Sequence, residues 1–471
     1  MKELPHGYTA TIGLEIHAEL HTETKMFCSC KNDPFVATAN THICPVCTAQ
    51  PGTLPAVNKQ AILHVLRVGT AIGGTLADFT EFDRKNYFYP DIPKAYQISQ
   101  YEFPLISGGV LSDVEITRIH LEEDTATSSH QSDHSLVDFN RAGVPLMELV
   151  TEPVVHDAET AMNFAKELQL LLRTLGVSHA NLEKGEMRIE ANISVSQTET
   201  FGTKAEVKNL NSFKIVGAAI DYEINRQIKA LESGEKLVQE TRGWNEQKQS
   251  TFSQRTKESA DDYRYFPDPD IPKFKLSELK GFSKEDLEKT LPELPWDKRE
   301  RYLNMNVPEE AVETFLSDSF LDNLFVGVTR DNTDSVFVKL AVNYITSDIA
   351  GLLKNEEGEM AHFTSEKIAA LITMIQENKL SSRGAKDLLF HLYTDGGGVE
   401  DLAQKHDLLQ SSDTGELEVV MKRIMAENPD VVNKFKAGDE KMMQFFIGQG
   451  MKATQGKANP QLLSQIVKDL L

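Results

Sequence analysis

Beyond residue 47 the 471-residue chain has no cysteine, and its four, Cys28, Cys30, Cys44 and Cys47, fall close together. Such a distribution is unlike a disulfide-stapled secreted scaffold. It also leaves no thiol outside the cluster to serve as a catalytic nucleophile. Unbroken apolar runs of about 18 residues, the length needed to cross a bilayer, are missing as well, and no membrane span is expected. The opening MKELPHGYTATIGLEIH lacks the apolar stretch of a secretory signal and the Arg- and Ser-rich character of a transit peptide, so a cytoplasmic protein is expected. Basic residues are in short supply, 49 Lys and Arg against 71 Asp and Glu for a net charge of −22, which opposes nonspecific binding to a polyanion. Nucleotide-binding signatures fail too. No GxxxxGK[ST] occurs, and the nearest approach, GMKATQGKA at 450–458, lacks the Ser or Thr after its Lys. Neither a GxSxG elbow nor a HExxH helix is present.

What the chain does have is length for two or three domains and a marked change of texture. Through about residue 290 short β-type runs dominate (TATIGLEIHAEL, EITRIHLEED, MRIEANISV, TKAEVKNL), with helical stretches expected at 158–175 and 212–232. From LPELPWDKRERYLN (291–304) onward apolar residues recur at three- and four-residue spacing, as in 309–316, 335–354 and 365–376, which predicts helices. A Gly-rich, then polar stretch at 395–410 suggests a further boundary before a short helical tail. The expectation is an α+β multidomain chain divided as 1–294, 295–400 and 401–471. Charge is segregated toward the end: residues 431–471 hold six Lys (434, 436, 441, 452, 457, 468) against Asp439, Glu440 and Asp469. That makes the tail the expected phosphate-facing surface.

Four groups of residues have the composition for chemistry. CxC followed by CPVC can close around one tetrahedral ion, and four thiolates would fill a structural zinc site. Four unrelated thiols or disulfides are the alternative, which a cytoplasmic setting and the clustering disfavour. Glu15 and His17 in GLEIH lie two apart and share a strand face; with Glu122 and Glu123 of HLEED and Glu190 of MRIEANIS they could hold a divalent cation through oxygens and an imidazole. Alternatively these polar positions simply face water. FDRKNYFYPDIPKAYQISQY (82–101) interleaves aromatics with Asp83, Arg84, Lys85, Asn86 and Lys94, suiting either a pocket that stacks a base and offers cations to phosphate or a loop anchored by its aromatics. DDYRYFPDP (261–269) has a similar make-up and reads equally as an interdomain connector.

Taken in order, GLEIH, CPVCTAQPGTLPAVN (44–58), FDRKNYFYPDIPKAYQISQY, RIHLEED (118–124), VDFNRAGVPLMELVTEP (137–153), ANISV (191–195), FGTKAEVKNLNSF (201–213), QETRGW (239–244), DYRYFPDPD (262–270) and GQGMKATQGKANP (448–460) resemble the B subunits of the aspartyl/glutamyl-tRNA amidotransferases. The resemblance runs along essentially the whole chain. It implies a strand-rich, cradle-like N-terminal kinase domain, then an all-helical domain and a small tRNA-binding tail. It implies use of ATP with Mg²⁺ to phosphorylate the side-chain carboxylate of Glu or Asp mischarged on tRNA(Gln) or tRNA(Asn). The partners it implies are an amidase (A) subunit that releases ammonia and a small third (C) subunit. Carried over by position, Glu15, His17, Glu123 and Glu190 fall on the magnesium site, Lys85 and Tyr87 line the same centre, and Cys28, Cys30, Cys44 and Cys47 form the zinc knuckle. Three departures stand out: Glu190 where the family has Asp, TAQPG (48–52) for an LGLPG-type stretch, and GQGMKAT with Gly450, expected to loosen a helical turn. A noncatalytic tRNA-binding scaffold is the competing reading.

Overall fold

Strict alternation in TATIGLEIHAE builds the strand on which the first half of the chain is centred. In β1 (Thr9–Glu19) the residues Ala10, Ile12, Leu14, Ile16 and Ala18 point to one side and are buried, while Glu15 and His17 point to the other. The computed structural model describes residues 4–36, 38–256, 263–355, 358–410, 414–439, 441–454 and 457–470. It divides into two compact units, Met1–Pro295 and Trp296–Leu471.

The first unit contains α1 (Lys59–Ala71), β2 (Asp83–Asn86), β3 (Tyr96–Ser99), β4 (Val114–Glu123), β5 (Pro145–Thr151), α2 (Ala158–Thr174), β6 (Met187–Ser196), β7 (Ala205–Leu210), α3 (Phe213–Glu232), β8 (Glu240–Asn245), β9 (Ser250–Thr256) and β10 (Phe266–Pro267). A mixed sheet runs in the order β9-β8-β7-β6-β1-β5-β4, extended by short strands at Ile106–Ser107 and Thr75–Leu76. Its pairs are antiparallel except β7 with β8. That parallel pair needs a long crossover, which α3 supplies. Side-chain caps set the helix starts: Asn58 for α1, Asp157 for α2 and Ser212 for α3, each accepting from backbone N–H groups of the first turn. Helices α2 and α3 pack together, and α3 lies against β6 and β7. β2, β3 and β10 form a separate three-stranded sheet with β2 in the middle.

The second unit is helical, with capping side chains at Asp318, Asp334, Thr364 and Ser381. Its described residues form two hydrophobic cores. One is built around Tyr302, Phe315, Phe325, Phe337, Ile345 and Leu388 and runs on to Leu402 and Ala403, with Leu408 and Leu409 packed against it. The other joins Leu417, Met421, Ile424, Phe446, Leu463, Ile466 and Val467. Within the stretch 395–410, the helix Val399–Lys405 buries Val399, Leu402 and Ala403 in the first core. Ser335–Leu353 is long and apolar enough by composition to cross a membrane, but 39% of it is buried and Phe337, Val338, Ala341, Ile345 and Ile349 belong to that same core. Gly450 does not loosen its helix, Met442–Ala453, which continues through it. A Cβ there would fall 2.9 Å from Leu463 Cδ1 and 2.9 Å from Met421 Sδ, so the glycine lets three helices approach closely.

Candidate active site and cysteine knuckle

Register turns isolated acidic residues into a group. Across the polar face, Glu15 sits opposite Glu190 of β6, and His17 opposite Glu148 of β5. Glu148 in turn faces His120 of β4, and Asn192 of β6 faces Glu206 of β7. His17 Nε2 lies 3.3 Å from Glu148 Oε2 and 3.6 Å from Glu122 Oε1, and His120 Nε2 lies 3.4 Å from Glu148 Oε2. Lys208 Nζ donates to Glu190 at 2.7 Å. Three overlapping sets, Glu15/His17/Glu148, His120/Glu122/Glu148 and Glu15/Glu190/Glu206, each bring one ligand atom per residue within 4.8 Å of the others. The polar positions of β1 thus do not face open water; they line a half-buried concentration of carboxylates.

Crowding of like charge shifts these groups. Burial and the carboxylates of Glu148 and Glu190 push Glu15 up to about 7. Burial alone would lower His17, yet its hydrogen bond to Glu148 and the charges of Glu148, Glu122 and Glu190 raise it to about 9. Glu148, despite burial, is held well below the usual carboxylate range by His120 and His17. A face with this much negative charge and oxygen-rich donors suits a hard divalent cation such as Mg²⁺.

Glu123 stands apart from this group. Its neighbour Glu122 faces His17, and adjacent strand residues point to opposite sides, so Glu123 turns away. Its carboxylate accepts from Lys94 Nζ at 2.7 Å and from the Ile98 N–H at 3.0 Å. It lines a cavity of about 250 Å³ together with Cys28, Cys47, Lys94 and Tyr96. The residues brought together are Glu15, His17 and Glu190, joined by Glu122. Glu148, Glu206, His120 and Lys208 complete the face; nothing in their own segments marks them as partners of Glu15 and His17, and only strand pairing brings them there.

Lys85 and Tyr87 come to the same region on β2 and just after it. Burial would lower Lys85, but the carboxylates of Glu122 and Glu148, with Tyr265, hold it well above the ordinary lysine value. Its Nζ lies 5.3 Å from the centre of the Tyr263 ring. Tyr87 donates to Gln97 Oε1 at 3.1 Å, and burial raises its hydroxyl. The two aromatic, charged segments are parts of one structure, because β10 pairs with β2 and Arg84 binds Asp268 at 2.7 Å and Asp270 at 3.1 Å. Tyr101 stacks on Tyr265 with ring centres 4.4 Å apart, and Tyr87 meets Tyr263 edge-on. Asp261 and Asp262, at the start of the second segment, lie outside the described residues.

The four cysteines converge as their spacing predicts, with all four Sγ atoms within 4.8 Å of one another. A hydrogen bond from Cys28 helps pull the Cys47 thiol down to about 4, while the same contact and burial push Cys28 up. An all-sulfur set of four fits a tetrahedral zinc ion.

Together the carboxylate–imidazole face with its nearby lysine and the separate sulfur knuckle give the chain two candidate cation sites, one rich in oxygen and one all sulfur. Comparison with known proteins gives the family. Residues 10–280 match the model described as the GatB/GatE catalytic domain, and 323–471 match that of the GatB domain. The chain is 43% identical to the B subunit of the aspartyl/glutamyl-tRNA(Asn/Gln) amidotransferase of Thermoanaerobacter pseudethanolicus, over 98% of this chain and 99% of that protein. Identity is 42% to the same component of the Caldanaerobacter subterraneus subsp. tengcongensis enzyme, over 98% and 99%, and 41% to that of Gloeothece citriformis, over 98% and 97%. This chain belongs to the family of aspartyl/glutamyl-tRNA(Asn/Gln) amidotransferase B subunits.

Proposed function

We propose that this chain holds a mischarged Glu-tRNA(Gln), Asp-tRNA(Asn) or both, and uses ATP to activate the side-chain carboxylate of the attached amino acid for amide formation. The observation that carries this reading is the gathering of Glu15, His17 and Glu148 on one sheet face, with Lys85 in the field of Glu122 and Glu148. A carboxylate is a poor electrophile. Transfer of the γ-phosphoryl group to one of its oxygens releases ADP and gives an acyl phosphate; ammonia then attacks the acyl carbon, and inorganic phosphate leaves. Mg²⁺ held by Glu15, His17, Glu148 and Glu190 would neutralise charge on the phosphoryl group in transfer. Lys85 supplies a fixed ammonium for phosphate oxygens, and Tyr87, tethered to Gln97, shapes the pocket for the attached amino acid.

Ammonia comes, in this reading, from an amidase subunit acting on glutamine or asparagine, braced by a small third subunit, in the cytoplasm. The first unit is a cradle-like kinase domain, and the second divides into a helical domain and a tRNA-binding tail. The cysteine knuckle is structural. The test is to reconstitute the chain with both partner subunits, ATP, Mg²⁺ and glutamine, supply Glu-tRNA or Asp-tRNA, and identify the amino acid released from the tRNA. Conversion that disappears in Glu15→Ala or His17→Ala, with glutaminase activity retained, is the expected result. A complex with competent amidase and tight tRNA binding that converts neither tRNA would leave the chain a scaffold.

A further inference from the structure

Lys25 has no exposed surface, and it touches both halves of the cysteine knuckle. Its backbone N–H donates to the carbonyl of Cys30 at 3.0 Å, on the CxC side. Its Nζ reaches across to the CPVC side, 3.8 Å from Cys47 Sγ, and donates to the Phe139 carbonyl at 3.1 Å. The hydrocarbon stem passes Gly143, where an added Cβ would lie 3.5 Å from Cys47 Cβ and 3.6 Å from Lys25 Cδ. Among the described residues no carboxylate pairs with this ammonium; one carbonyl and one sulfur are its side-chain partners. A buried ammonium without a counter-charge is strongly unfavourable. Four thiolates around a divalent ion, by contrast, carry more negative charge than the ion cancels, and that surplus lies where Lys25 points.

We propose that Lys25 is the built-in counter-charge of a tetrathiolate metal centre on Cys28, Cys30, Cys44 and Cys47, a positioning residue that sets how tightly the knuckle holds a soft divalent ion. The proposal rests on reading the four cysteines as a metal knuckle, and it assigns to Lys25 a role that is electrostatic rather than one of ligation. Contacts just outside a ligand shell tune affinity in this way.

The test uses the full-length chain as wild type, Lys25→Met and Lys25→Gln, with Zn²⁺ affinity measured by competition against a chromophoric chelator and thiolate number read from the absorption of the Co²⁺ form. The wild type should bind one ion with a four-thiolate spectrum. Either variant should keep that spectrum but bind zinc roughly 10–100-fold more weakly. Metal-free wild type and variants are melted side by side, and variants that keep a cooperative transition without metal separate lost affinity from lost folding. Variants that bind zinc as tightly as wild type would overturn the role of Lys25 and leave the knuckle standing. A wild type that shows no four-thiolate Co²⁺ spectrum would overturn both.

Discussion

Glu148 is approached from two strands at once, by His17 and by His120, and it belongs to two of the three sets of potential cation ligands. Glu148→Gln keeps the shape and removes the charge. Loss of a supporting contact costs a metal site ~10–100-fold, so the reconstituted complex should lose at least that much tRNA-dependent amidation with its glutaminase intact. Glu123→Gln should cost clearly less, because Glu123 binds Lys94 and Ile98 on the other side of its strand; equal losses would mean that Glu123 reaches the cation after all. Cation binding at this face, as proposed, would depend on pH. A ligand must lose its proton to bind, Glu15 is raised to about 7 and His17 to about 9. Mg²⁺ affinity measured by calorimetry should therefore rise as pH increases from 6 to 8, with proton release, and a flat profile would exclude Glu15 as a ligand. The pairing of Glu15 with His17 was legible in GLEIH because both lie on one strand at a period of two. Glu148 and Glu206 were not, because alternation tells which way a side chain points but not which strands become neighbours. The choice between Glu122 and Glu123 turned on that same one-residue parity.

Most of the elements follow from short-range signals. Asp157, Ser212, Asp334, Thr364 and Ser381 stand where helices begin, each with a side-chain oxygen on a backbone N–H. Asp157→Ala should cost ~1 kcal/mol of stability in chemical denaturation. Some burial pushes the Asp157 carboxyl up, but hydrogen bonds with Thr160 bring it below its ordinary value. Its charge contribution is thus complete above the normal aspartate range and is lost as pH falls below it, so the cost of the substitution should shrink in acid. Gly450 was less legible. Its sequence context gave helix propensity, whereas its use depends on Leu463 and Met421 arriving from other helices. Gly450→Val should destabilise the tail by ~1–3 kcal/mol through overpacking; an unchanged melting temperature would show that those side chains move aside freely.

At the scale of the whole molecule the acidity of the chain and its proposed tRNA substrate are reconciled by where the lysines lie. Lys434, Lys436, Lys441, Lys452 and Lys468 are exposed in the last part of the chain, whereas the overall charge is −22. Replacing Lys434, Lys436 and Lys452 with Ala should weaken tRNA binding and flatten the dependence of its logarithm on salt concentration; an unchanged slope would place phosphate contacts elsewhere. The strand-rich and helical parts could be read from periodicity. The two cores of the second unit could not, since helical spacing names a buried face without naming its partner. The central position of β1 has a consequence for synthesis. It leaves the ribosome well before its partners, β5 and β6, Pro145–Thr151 and Met187–Ser196. At about 5–20 residues per second, β1 waits on the order of ten to forty seconds before both of its edges are paired. During that interval the nascent chain is most exposed to aggregation, and slowing translation between β1 and β6 should lower the soluble yield more than slowing it after β9.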